Sequence, residues 1–248
     1  ILALLVVVFI ATAIGNPASF LQAYTQENVL RLTGLFGILS IGVAFVIISG
    51  GIDLSIGSVV GLVGCLLPYL MVEKGWPPAA AILAAIVVSL AIGTTHGLLI
   101  AKLRLQPFIV TLCGLMIYRG IARWFTGDAT QGFGGEYAGL RELGRGKIPL
   151  VGEMQVPVPF LTMIVLAIGA AVVLNKTVYG RYLLALGRNE QAARFSGIRT
   201  DRTTLLAYVF CSLMAGVGGI LFALYLGSIQ PSGHGEFYEL YAIAAAVL

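Results

Sequence analysis

Long apolar runs separated by short polar connections set the elements of this chain. A helix needs about 20 apolar residues to cross about 30 Å of hydrocarbon. On that criterion eight segments predict helices: Ile1 to Ile14, Leu30 to Ser49, Leu54 to Val72, Ala79 to Ala101, Phe108 to Thr126, Val156 to Leu174, Thr203 to Leu226 and Leu240 to Leu248. The runs are too long and too unalternating for barrel strands. Lipid offers the backbone no hydrogen-bond partner, so helices are the remaining spanning structure. The expected fold class is all-α, a polytopic transmembrane helix bundle. The first and last segments are too short to cross and run apolar into the chain ends, so the sequence is expected to begin and stop inside helices of a longer protein. A signal peptide is the other reading of the first, but the basic n-region it requires is missing. No linker divides the chain, which leaves a single transmembrane domain over residues 1–248.

Composition excludes a soluble shell. Hydrophobic residues make up 58% of the chain and charged residues 10%, against roughly 25% charged in a soluble domain. Cys65, Cys113 and Cys211 each lie inside an apolar run and read as small hydrophobes, with no disulfide or metal framework. The net charge of +4 bears first on orientation. Residues 175–202 carry Lys176, Arg181, Arg188, Arg194, Arg199 and Arg202 against Glu190 and Asp201, whereas residues 127–155 carry three basic and four acidic residues. The first connection is therefore placed in the cytoplasm and the second outside. Counting back puts Lys102 to Gln106 inside, Glu73 to Pro78 outside and the Gly50 to Asp53 break toward the inside.

Small residues recur every four positions at Ala81, Ala85, Ser89, Gly93, Gly97 and Ala101, and again at Cys211, Ala215, Gly219, Ala223 and Gly227. Such stripes let helix backbones approach closely in lipid and read as packing seams.

Chemistry-bearing residues are sparse. No span holds paired carboxylates or a Ser, His and Asp set, so catalysis is not expected. His96 reads as a packing or capping residue, since one unpartnered imidazole cannot form a proton relay. His234 lies in an external loop and supports no metal site. Arg119 and Arg123 stand one turn apart near the outer end of a span. Arg123 suits snorkelling to the interface; Arg119 is about 6 Å deeper and either snorkels too or faces the bundle interior.

The stretch S-G-G-I-D-L-S-I-G-S at 49–58 interrupts two apolar runs. Gly50 and Gly51 can take the left-handed conformation that ends a helix, and Asp53 can accept from the amides that begin the next. Interrupted helices at membrane depth also line solute paths, so cap and gate both stay open. In the cytoplasmic connection, Asn189 suits an N-cap, Glu190 the first turn and Gly197 the stop of a short helix from Glu190 to Ser196. It would present Ala192, Ala193 and Phe195 with Arg188, Arg194 and Arg199 around them, either to a soluble partner or to anionic lipid headgroups.

At these residues the chain resembles the membrane permease subunit of bacterial ATP-driven sugar importers, in the ribose and galactose group. The matching pieces are S-G-G-I-D-L-S-I-G at 49–57, L-Q-P-F-I-V-T-L at 105–112 with Arg119-Gly120, G-R…A-L-G-R-N…A-A-R-F-S-G-I at 180–198, and E-L-Y-A-I-A-A at 239–245. His96 and Tyr241 depart from the family, where asparagine and aspartate are usual.

The resemblance implies about ten spans in the complete protein and a location in the bacterial inner membrane. It also implies alternating access for a monosaccharide. The coupling set is Gly187, Asn189, Glu190, Ala192, Ala193, Arg194, Phe195 and Gly197; the path or gate set is Gly50, Gly51, Asp53, Ser55, Arg119 and Glu239. No G-x-x-x-x-G-K-[ST] loop occurs, so ATP and magnesium are expected on a partner ATPase. Two such ATPases, a second permease subunit, identical or not, and a periplasmic or lipid-anchored sugar-binding protein complete the implied assembly; no nucleic acid is expected. An ion-coupled secondary transporter of a small polar solute is the alternative, though the buried ionisable coupling site it needs is not evident.

Overall fold

The structure is a computed structural model that describes residues 2–151 and 154–248. In chain order its helices are α1 (Leu2–Gly15), α2 (Pro17–Phe20), α3 (Ala23–Ile48), α4 (Ile56–Pro68) with a π-helical continuation at Tyr69–Glu73, α5 (Pro78–Ala101) and α6 (Pro107–Thr126). There follow α7 (Ala138–Arg145), α8 (Val158–Lys176), α9 (Val178–Arg188), α10 (Glu190–Phe195), α11 (Thr200–Leu226) and α12 (Tyr238–Val247). Each apolar run of the sequence forms a helix. Among the described residues six, namely α3, α4 with its continuation, α5, α6, α8 and α11, are long and apolar enough to cross a membrane.

Local chemistry sets their ends. Pro78 and Pro107 open α5 and α6, where a missing N–H removes a donor that had no helical partner. Left-handed glycines, Gly127 and Gly227, stop α6 and α11. Pro68 lacks the N–H that would continue the α ladder, and the helix widens into a π turn over the next five residues.

α11 is the centre of the bundle, packed most extensively on α5 and then on α3 and α4. At their glycines the two small-residue stripes take different neighbours. That of α5 receives α11, with Gly93 on Tyr208 and Val209 and Gly97 on Leu205. That of α11 turns toward α3 and α4, where Cys211 meets Gly42 and Gly219 meets Val60.

The connection between α6 and α8 folds into a cap. Its strands are β1 (Gln131–Gly132), β2 (Lys147–Val151) and β3 (Met154–Pro157); β4 (Ser228–Ile229) follows α11. β1 pairs antiparallel with β4, Gln131 opposite Ile229, and β2 with β3, Lys147 opposite Pro157. Arginines clamp α7 from both sides. Buried Arg31 of α3 donates to the Gly144 and Arg145 carbonyls at 2.9 and 2.8 Å. Arg145 in turn donates to the Tyr225 and Leu226 carbonyls of α11 at 2.7 and 3.1 Å. The last carbonyls of a helix have no helical donor, and cations there are favoured by the helix dipole.

Candidate functional site

The sequence 46–51 makes α3 end in a Schellman motif. The Gly50 N–H bonds to Ile47 O at 2.9 Å and the Gly51 N–H to Val46 O at 3.0 Å. Gly50, at φ 83°, is the left-handed residue the motif requires. The Tyr208 hydroxyl of α11 lies against Gly51 and donates to the Ile52 carbonyl at 3.2 Å, fixing the break to the central helix. Asp53 follows, fully buried. Its Oδ1 accepts from the Ser55 N–H at 2.9 Å and from the Ser55 hydroxyl at 2.7 Å, a local turn that leads the chain into α4. A polar cavity of about 360 Å³ borders the break, lined among others by Ser49, Arg104, Glu190, Asp201 and Tyr208.

α9 and α10 reach the same place. The Gly187 backbone rests on the Ile48 carbonyl, leaving no room for a side chain, so α9 abuts the last turn of α3. Asn189 then caps α10, its Oδ1 accepting from the Ala192 N–H at 2.9 Å. Gly197, at φ 82°, ends it, and the Ile198 N–H closes on Ala193 O at 3.1 Å. Arg194 pairs with Asp201 at 2.9 Å and ties this turn to the start of α11. Phe195 is 91% exposed.

A second cluster gathers around Arg119. Its Nη1 donates to the Ser232 carbonyl at 2.6 Å, so this arginine faces the bundle. Arg123, by contrast, pairs with Asp128 at 2.7 Å on the surface. The connection carrying Ser232 lies on the first turns of α4, the His234 carbonyl against Gly61 and the Gly235 carbonyl against Gly57. Buried Glu239 packs beside Gly57, and its Oε2 has no hydrogen-bond partner among the described residues. Burial, and then the Arg119 charge, hold the His234 imidazole down at about 4.

Residues 25–248 match the family described as "Branched-chain amino acid transport system / permease component". The chain belongs to this permease family. The permease is 37% identical over 245 residues to the ribose import permease protein RbsC of Bacillus subtilis (strain 168), covering 98% of this chain and 73% of that protein. It is 34% identical over 253 residues to RbsC of Escherichia coli (strain K12), covering 100% and 75%. It is 31% identical over 287 residues to the xylose transport system permease protein XylH of the same strain, covering 94% and 73%. No solved structure matches it. The permease is thus a multi-pass membrane protein and one component of a transport system.

Several sequence expectations change in the permease. Gly51 is not left-handed; it is small because Tyr208 approaches it. Asp53 bonds to Ser55 and does not reach the first amides of α4, whose N-cap, Ser55, makes no side-chain cap. Ala193 is buried and turned inward, because the Asn189 cap sets the α10 register so that Ala192 and Phe195 face out. His96 is partnered, by the Tyr118 hydroxyl at 2.8 Å. Tyr208 and the Gly187 contact leave no mark on the sequence pattern, since both act on backbone atoms far away in sequence.

Proposed function

We propose that the permease carries a monosaccharide inward across the bacterial inner membrane by alternating access, as the membrane subunit of an ATP-driven importer. The sugar reading is supported by the relatives that match nearly the whole chain, named for ribose and xylose, although the family description names branched-chain amino acids. α10 carries the rest of the reading. It is capped at both ends, pinned by Arg194 and Asp201, and presents exposed Phe195 beside basic residues; a rigid apolar anchor with a charged rim suits docking to a soluble protein.

On this reading two ATPase subunits, holding ATP and magnesium, seat α10 of two permease subunits, and a sugar-loaded binding protein delivers from outside. Gly187, resting on Ile48, passes motion of α10 to Gly50, Gly51, Asp53 and Ser55, which form the inner gate. Arg119 and Glu239 belong to the same path nearer the other side.

Permease purified from its native membrane should bring down an ATPase subunit. Phe195→Asp should cut that recovery by about tenfold, a loss of about 1.4 kcal/mol, with membrane content unchanged. Ala193 is a poor target, since its burial would confound folding with docking. Labelled ribose or xylose, and not leucine, should accumulate in cells and stop when ATP is depleted. Unchanged recovery in Phe195→Asp would sink docking through α10, and uptake that follows an ion gradient would favour a secondary transporter.

A further inference from the structure

The central helix α11, 27 residues long, begins beside α10 without a side-chain cap. The Thr200 N–H bonds to Ile198 O at 2.9 Å, and the Arg202 and Thr203 N–H groups bond to Arg199 O at 3.1 and 3.2 Å. The Asp201 N–H makes no such bond among the described residues. Unclaimed N–H groups at a helix start point outward, at the positive end of the helix dipole.

A cleft of about 270 Å³ lies at this start. Arg199, Thr200, Asp201 and Arg202 line it, with Lys102 from the end of α5 and Arg194 from α10. Arg194 takes the Asp201 carboxylate at 2.9 Å. Four cations against one carboxylate leave the lining at a net +3. Lys102, Arg199 and Arg202 are exposed and form no ion pair among the described residues.

Basic residues are common on one side of a membrane protein and by themselves need no ligand. Thr200 sets this cleft apart. It is 2% exposed, and its Oγ1 has no hydrogen-bond partner among the described residues. A helical threonine can return its hydroxyl to the carbonyl four residues back, as Thr203 does to Arg199 O at 3.2 Å. Thr200 does not. Buried polar groups are nearly always paired, and this unpaired hydroxyl lines the cleft together with an uncapped helix start and a group of cations. One carboxylate would offset only part of the charge. Phosphate oxygens accept both from the amides of a helix start and from Lys and Arg side chains.

We propose that this cleft binds a phosphate group, which accepts from the Thr200 hydroxyl and the Asp201 N–H and is neutralised by Lys102, Arg199 and Arg202. Arg194 stays with Asp201 and offsets its negative charge beside the anion. An occupant would tie the end of α5 to the start of α11 next to the break, since Asp201 borders the polar cavity there as well. The phosphate is that of an anionic phospholipid headgroup or is free in solution, and the inference stands whichever solute the permease carries.

Two arms of one experiment separate these sources. Permease in a phosphate-free maltoside detergent is melted with inorganic phosphate or with chloride at equal ionic strength. Permease in nanodiscs of equal parts phosphatidylcholine and phosphatidylglycerol is analysed by native mass spectrometry for retained lipid. Stabilisation by phosphate beyond that by chloride would identify free phosphate, and preferential retention of phosphatidylglycerol would identify the headgroup. Either affinity should fall by about tenfold in Thr200→Val, which keeps the size and loses the hydroxyl, and in Lys102→Gln. It should survive Thr200→Ser. Failure of both arms with the wild type would overturn the inference. So would binding that Thr200→Val leaves unchanged, which would reduce the cleft to a diffuse positive surface. Loss of ATPase recovery in Lys102→Gln, with no binding of phosphate or lipid by the wild type, would assign the cations to a protein contact and overturn it too. Lys102 is exposed, so its variant keeps the test decisive even where a Thr200 variant fails to fold.

Discussion

Asp53 is the residue on which the break turns. One of its oxygens is occupied by Ser55 through two short bonds, and a carboxylate this deeply buried is expensive unless its other oxygen is also engaged. Asp53→Asn keeps the acceptor at Oδ1 and replaces the charge with an amide. The melting temperature should fall by no more than about 4 °C, the equivalent of about 1 kcal/mol, while sugar uptake should fall steeply if the charge holds the gate. Wild-type uptake in this variant would reduce Asp53 to a local turn residue. Asp53 was legible in the sequence because an aspartate that follows two glycines between apolar runs is too costly in hydrocarbon to stand there without a partner. Tyr208 was not. A tyrosine in an apolar helix looks like any packed aromatic until its hydroxyl is traced to Ile52, 156 residues away. Ala193 is hard to place for a related reason, since alanine suits either face of a helix and its burial follows from the register of α10.

The capped α10 was readable because its signals, Asn189, Glu190 and Gly197, are all local. What it leans on was not, because the Gly187 contact is made with backbone, and no side-chain pattern announces a carbonyl. Gly187→Ala would push α9 off the end of α3 while leaving Phe195 and the α10 caps in place. The ATPase should still co-purify and still hydrolyse ATP, but uptake should drop by about tenfold, equal to about 1.4 kcal/mol of lost coupling. Equal loss of co-purification and uptake would show that α9 matters to docking rather than to transmission. The small-residue stripes teach a similar lesson. Their existence was plain, but their partners were not, because a seam in lipid specifies close approach without naming the helix that approaches.

Across the whole molecule the alternation of apolar runs and connections was enough to place every long helix, since in lipid length and hydropathy decide the matter. The arrangement between α6 and α8 was hidden, because a charged, glycine-rich connection has no periodicity to read, and its order comes from Arg31, Arg141 and Arg145 reaching carbonyls on other elements. Orientation is open to a direct check. Single cysteines at Gly134 and at Arg194, in a background lacking Cys65, Cys113 and Cys211, should react with an impermeant thiol reagent from outside and from inside the cell respectively. The reverse pattern would invert the topology and remove α10 from the reach of a cytoplasmic ATPase. The clamp on α7 also bears on how the protein is made. The acceptors of Arg31 lie 113 and 114 residues further along the chain. During synthesis α3 therefore reaches the bilayer with its guanidinium unmatched, and such a group is held near the water boundary. The clamp on Arg31 is therefore complete only once α7 has been made and folded back over α3, a contact that joins an early helix to a late one.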